Sequence, residues 1–401
     1  MSAKFLFRFI IGLATLLAGL SASGCTGLYR LQAPGSSENL GVVIERAIGR
    51  VMLVDTLQNS SIGNIDGLGD LSHASVVFSP DKKYAFVFGR DGGVTKIDLL
   101  RRRMVARVIQ AGNSIGGAIS KDGRWVAVSN YKPGGVRIFE AETLKQVADI
   151  PATMENGSLS RVVGLVDAPG SRFVFTLFDA GEIWVADFTN PEMLHVRKFR
   201  NIGRQPYDAL ITPDGRYYIA GLFGEDGLAL LDLQNLDRGV QRILDGYGKG
   251  LSKLPVYKMP HLEGWAEAGD QLFIPAVGAY TVLVVDRSSW QELARIPVHG
   301  QPVFVMASPD GRQVWVNFAY PRNDTVQVID TATRKIVREL KPGKAVLHMA
   351  FESQNRKVWI SVRDEDRVDI YDTTSFQRLA SLPANKPSGI FFTSRATEIG
   401  L

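Results

Sequence analysis

Eight times along this chain a strand-like run closes on an acid: VMLVD at Asp55, VTKID at Asp98, VRIFE at Glu140, IWVAD at Asp187, LALLD at Asp232, VLVVD at Asp286, VQVID at Asp330 and VDIYD at Asp372. The steps between these acids run from 42 to 54 residues. A second marker keeps the same phase, a turn-forming stretch such as SPDKKY at Ser79, SKDGRW at Ser120, TPDGRYY at Thr212 and SPDGRQ at Ser308. DAPGSRF at Asp167, EAGDQL at Glu267 and ESQNRK at Glu352 hold the equivalent place in other repeats. Two markers in one register, with a period of about 40–45 residues and four short strands per period, are the signature of propeller blades. Ankyrin and tetratricopeptide units are shorter and need a helical periodicity that is absent here. The expected fold is all-β, an eight-bladed β-propeller.

The first unit starts late. Its Gly41-Val42-Val43-Ile44 reads as a second strand, whereas the chain ends on Gly389-Ile390-Phe391-Phe392, which reads as a first strand. The C-terminal strand should therefore complete blade one, closing the ring and hiding the edges an open sheet would expose. The long step between Asp232 and Asp286 implies an insertion, placed at 244–260. With 45% apolar and 22% charged residues the chain has material for a large core, and 40 glycines and 18 prolines suit many tight turns.

Ahead of the propeller, expected over 40–401, Lys4 and Arg8 precede an apolar run over 9–20 and then Ser21-Ala22-Ser23-Gly24. That is an export signal over 1–24, too short to cross a membrane, which takes roughly 20 apolar residues. Ala22-Ser23-Gly24-Cys25 resembles a bacterial lipobox, so Cys25 is expected to carry lipid, and 25–39 to serve as a Gly, Ser and Pro-rich tether. Ordinary cleavage at a nearby small-x-small site is the alternative. Both place the protein in the periplasm, the first with a membrane anchor, and both exclude nucleic acid as a partner. Cys25 is the only cysteine. A lone cysteine rules out structural disulfides, a Cys-x-x-Cys metal pair and a Cys-x-x-Cys-His site for covalent haem c.

Propeller strands run from the axis outward, so residues opening each innermost strand should line the axial funnel. In this chain many of them are polar: His73, Asn113, Arg161, Tyr207, His261 and His348 among them. His73 stands six residues before the turn at Ser79, and His261 six before the turn at Glu267. They fall in blades two and six, half a revolution apart, so the two imidazoles should face each other across the axis. Haem iron is commonly held by a histidine nitrogen. The plain alternative is a pair of hydrogen-bonded funnel residues. Arg90, from a loop between second and third strands, Arg161 and Arg204 supply guanidinium groups suited to carboxylates; some such loop charges will simply be solvated.

The stretch GDLSHASVVFSPDKKYAFVFGRDGGVTKIDL over 69–99 resembles the part of the haem d1 domain of cytochrome cd1 nitrite reductase that supplies its axial histidine. The PHLEGW run at Pro260 is similar to the segment bearing a distal histidine. The resemblance covers nearly the whole mature chain, and its departure is informative: with neither the length nor the cysteines for a haem c domain, the chain is most similar to the haem d1 biosynthesis proteins related to that domain. It implies that haem d1 or a late precursor is the ligand and that His73 ligates iron. It further implies that Arg90, Asn113, Arg161, Arg204 and His348 surround the tetrapyrrole and that His261 with Tyr207 acts on its periphery. The partners implied are other haem d1 pathway proteins and nitrite reductase. Three functions stand open: a late side-chain modification, such as a dehydrogenation; a non-catalytic carrier of the cofactor; and a lipid-anchored interaction propeller.

Overall fold

The structure, a computed structural model, describes residues 37–246 and 265–399. Within them the chain forms eight four-stranded antiparallel sheets. The expected blade-two strands are observed as Ser75–Phe78, Tyr84–Phe88, Gly93–Asp98 and Arg103–Ile109. Blade one joins Leu40–Glu45, Arg50–Asp55 and Ser60–Ile65 to the C-terminal strand Pro387–Phe392, with Gly41 opposite Phe392 and Val43 opposite Ile390. The ring therefore closes through the C-terminal strand. Thr393 Oγ1 reinforces the closure by donating to the carbonyls of Ser37 (2.7 Å) and Leu40 (3.0 Å).

The two repeated markers have local causes. In the first-to-second-strand turns Ser79 Oγ donates to Asp81 Oδ1 (2.6 Å) and accepts from the Tyr84 N–H (3.0 Å). Ser120, Thr212 and Ser308 repeat this with Asp122, Asp214 and Asp310. The closing acids cap the next turn: Asp55 accepts from the N–H of Leu57 and Gln58, Asp330 from Thr333, Asp372 from Thr374 and Ser375. A carboxylate there satisfies turn donors that the ladder cannot reach. Asp286, holding Ser288 and Ser289, is pulled down to about 2.

Side chains alternate across each strand, and because every blade is sandwiched between two others both faces are apolar. In Tyr84–Phe88, Ala85 and Val87 pack toward blade one while Phe86 and Phe88 pack toward blade three. Eight apolar clusters result, each shared by two successive blades; Trp359 and Ile370 of blade eight meet Val43, Met52 and Ile390 of blade one. Beyond Phe392 a short turn of helix, Thr393–Thr397, leads to Ile399, which packs in the cluster shared by blades four and five and lies 3.1 Å from where a Cβ on Gly215 would be. The tail thus crosses the axis on the face that carries the Ser/Thr-x-Asp turns, opposite the face of the funnel loops.

Candidate functional site: an axial funnel

Most innermost strands slip register near the axis. The slips fall between Ser114 and Gly116, Val163 and Val166, Pro206 and Ala209, Pro302 and Val305, and Val346 and Met349, with a sixth in blade one facing Pro387–Phe392. A β-bulge bends its strand and re-aims a side chain. The residues so released, Ile115, Leu165, Tyr207, Phe304, His348 and Gly389, line an axial cavity of about 830 Å³. Polar side chains of the second strands hold the bulges: Asn317 accepts from the Phe304 N–H (2.8 Å), Ser361 from the His348 N–H (2.8 Å), and Thr176 donates to the Val163 carbonyl (3.0 Å). Blade two pairs its two inner strands without a slip, and His73 enters the cavity from the link just before them.

Of the residues expected from the sequence, the cavity brings together His73, Tyr207 and His348. His348 is almost wholly buried; its Nδ1 accepts from the Ile390 N–H (3.2 Å), and its ring lies against Phe391 and Phe304. Asn113, Arg90, Arg161 and Arg204 are not among the lining residues. Asn113 opens its strand opposite Lys132. Arg161 Nε is 3.0 Å from Asp179 Oδ2, and Arg204 shares Glu225 with Arg242. Burial by itself would raise the Asp179 carboxyl, but its hydrogen bonds with Arg161 outweigh this and hold it below the ordinary range. His261, most of the expected insertion, the export signal and Cys25 lie outside the described residues.

Two other arginines line the cavity in their place, with Lys344 beside them. Arg363 lines the cavity but grips Asp364 with two hydrogen bonds of 2.7 and 3.0 Å. Arg46 also lines the cavity, and the sequence reading passed over it. It sits in the turn after Leu40–Glu45; since that is the second strand of its blade, the turn is a second-to-third-strand loop like that of Arg90. Its neighbour Glu45 is taken by Arg50 and by the Asn385 N–H (2.6 Å), and no ion pair or hydrogen bond reaches the Arg46 side chain among the described residues. Burial, and then the Arg363 charge, depress its pKa. Asp70 acts on it only at a distance, in the opposite sense, and the group stays protonated, as guanidinium does in proteins.

The cavity's size sits at the upper end of small-molecule sites, roughly 300–1,000 Å³. Its wall includes Val76, Ile115, Val163, Val303, Val346 and Phe391, and Ser75 Oγ is buried there without a hydrogen-bond partner. A flat apolar body with anionic substituents and a metal that accepts imidazole matches these donors; a small polar metabolite would leave the wall uncovered.

The comparisons with known proteins agree with this geometry. A family model described as Cytochrome D1 heme domain matches residues 35–396. The chain is 60% identical over 391 residues to Protein NirF of Pseudomonas aeruginosa, covering 97% of this chain and 99% of that one. It is 31% identical over 365 residues to the Dihydro-heme d1 dehydrogenase of the same organism, covering 88% and 70%. Among solved structures, the Dihydro-heme d1 dehydrogenase NirN in complex with DHE superposes with a TM-score of 0.80 at 28% identity, over 91% of this chain and 78% of that chain.

Proposed function

Because the chain belongs to the Cytochrome D1 heme domain family, and within it to the NirF proteins, we propose that it binds haem d1 or a late tetrapyrrole precursor in its axial funnel and takes part in completing that cofactor for nitrite reductase. The observation that carries the reading is a half-buried guanidinium with no ion pair among the described residues, Arg46, in the lining of a largely apolar cavity that also holds His73. Bound there, the tetrapyrrole brings iron and a conjugated ring; the chain supplies what surrounds them. His73 would hold the iron. Arg46, with Arg363 and Lys344 beside it in the lining, fixes the ring carboxylates, and the apolar wall excludes water from the macrocycle faces. Arg90 lends charge from just outside, since its field reaches Arg46. Tyr207 meets the far edge of the ring, joined by His261, which the sequence register sets half a turn from His73. Export and lipidation at Cys25 hold the protein at the periplasmic face of a membrane, where it hands the finished cofactor to pathway partners.

Incubating the purified protein with the late precursor and weighing the recovered ligand tests the catalytic part. A changed ligand mass supports a modifying enzyme, with Tyr207 and His261 touching the reacting edge. Ligand bound tightly but recovered unchanged, with or without an electron acceptor, leaves the carrier reading instead.

A further inference from the structure

The two sides of the funnel differ in kind. Blades eight, one and two contribute Arg363, Arg46 and His73; blade five, four sectors from Arg46, contributes Tyr207. The Tyr207 ring is clamped edge-on by Phe178 (5.9 Å, 80°) and tilted against Phe223 (6.0 Å, 42°), and its carbonyl accepts from Thr176 Oγ1 (3.3 Å). Such packing leaves the ring little rotational freedom. Its hydroxyl oxygen accepts from the Tyr131 hydroxyl at 3.2 Å. Behind them the Arg161 guanidinium lies over the Phe178 ring (4.2 Å) and near the Tyr131 ring (5.9 Å), anchored by Asp179. Hydrogen bonds in series polarise one another, so an accepted bond strengthens the next donation by the same hydroxyl.

We propose that Tyr207, oriented by Tyr131 and Arg161, is a specificity residue that donates a hydrogen bond to a neutral oxygen, of carbonyl type, on the ligand edge opposite its carboxylates. This rests on the reading of the funnel as a tetrapyrrole site and adds the ligand's second pole. An anion at that edge would meet Asp179 as well as Arg161 and gain little, whereas a neutral acceptor needs only a fixed O–H. Tyr131 and Arg161 are positioning residues: they act through the Tyr207 phenol, and neither is part of the cavity lining. Arg161 is therefore reassigned from carboxylate ligand to buttress.

The test uses the full mature chain and two iron porphyrins alike in their propionates, one with apolar substituents on the opposite edge and one with a formyl group there. Wild type should bind the formyl porphyrin roughly 3- to 10-fold more tightly, the worth of one neutral hydrogen bond, with its carbonyl stretch shifted down in the Raman spectrum. Tyr207→Phe should erase both the preference and the shift, so that the two porphyrins bind alike. Tyr131→Phe and Arg161→Gln, outside the lining, should reduce both without touching affinity for the apolar-edged porphyrin, a pattern that loosened packing alone does not give. A preference and shift that survive in Tyr207→Phe overturn the assignment, as does wild type that binds the two porphyrins alike. Wild type that binds neither removes the tetrapyrrole reading itself, and this inference with it.

Discussion

Arginines reach the funnel face both from second-to-third-strand loops, Arg363 and Arg46 in blades eight and one, and from the links ahead of innermost strands, Arg161 and Arg204 in blades four and five, and the structure treats the two pairs oppositely. Arg161 and Arg204 are spent on Asp179 and Glu225, so their side of the funnel presents an aromatic, phenolic wall. Arg46 has lost its adjacent acid to Arg50 and the Asn385 amide, so its side presents charge. A guanidinium recruits an external anion only where its neighbours have other engagements; position in the blade is not enough. The ring closure makes the difference, for Asn385 belongs to the last turn before the C-terminal strand, and its N–H helps keep Glu45 from Arg46.

The sharpest way to break this contrast is to delete charge from each side in turn. Arg46→Met should weaken binding of a propionate-bearing iron porphyrin by about 10- to 100-fold, the range for a charge-assisted hydrogen bond, whereas Arg204→Met should stay within roughly threefold; titration calorimetry reads both, and equal losses would erase the distinction. Arg363 should fall between, since Asp364 already occupies it. Asp364→Asn is then expected to strengthen porphyrin binding by roughly threefold, because it frees Arg363 at the cost of one exposed pair, and the gain should shrink with added salt.

The smallest effect is on stability against pH, and it belongs to the paired side. Asp179 titrates lower when folded than when unfolded, so the pair stabilises the fold above the carboxyl's ordinary range, near 4, and this contribution disappears as pH falls through the lower folded value. Thermal melts of wild type and Asp179→Asn should accordingly differ at neutral pH and converge in strong acid. Melts of Glu225→Gln should behave alike, because Arg242 and Arg204 depress that carboxyl in the same direction; divergence toward acid would reverse the sign of the argument.

What the sequence made legible was whatever repeats. The closing acids and the Ser/Thr-x-Asp turns recur because each blade needs the same turn donors capped, and Gly41 and Ile390 betrayed the closure because a strand count of four leaves blade one short. The bulges were hidden: Gly116 and Gly164 look like ordinary strand residues, and only pairing reveals that Ile115 and Leu165 are thrown toward the axis. Arg46 carried a usable signal, since Gly41 to Ile44 was already read as a second strand and the next turn had to be a funnel loop. Which arginine keeps an anion site was not legible, because Arg161 meets Asp179 across 18 residues and Glu45 meets Asn385 across 340. His73 was found by register, from its distance to the turn at Ser79, and Tyr207 as a polar residue where an innermost strand opens.

The central claim is that His73 binds the iron of a tetrapyrrole held in the funnel. Its most direct measurement is the absorption and magnetic circular dichroism spectrum of the full mature protein saturated with haem d1, compared with His73→Ala and His348→Ala. The account predicts imidazole-ligated iron in wild type and in His348→Ala, lost in His73→Ala and restored there by added imidazole. An identical spectrum from wild type and His73→Ala would contradict it.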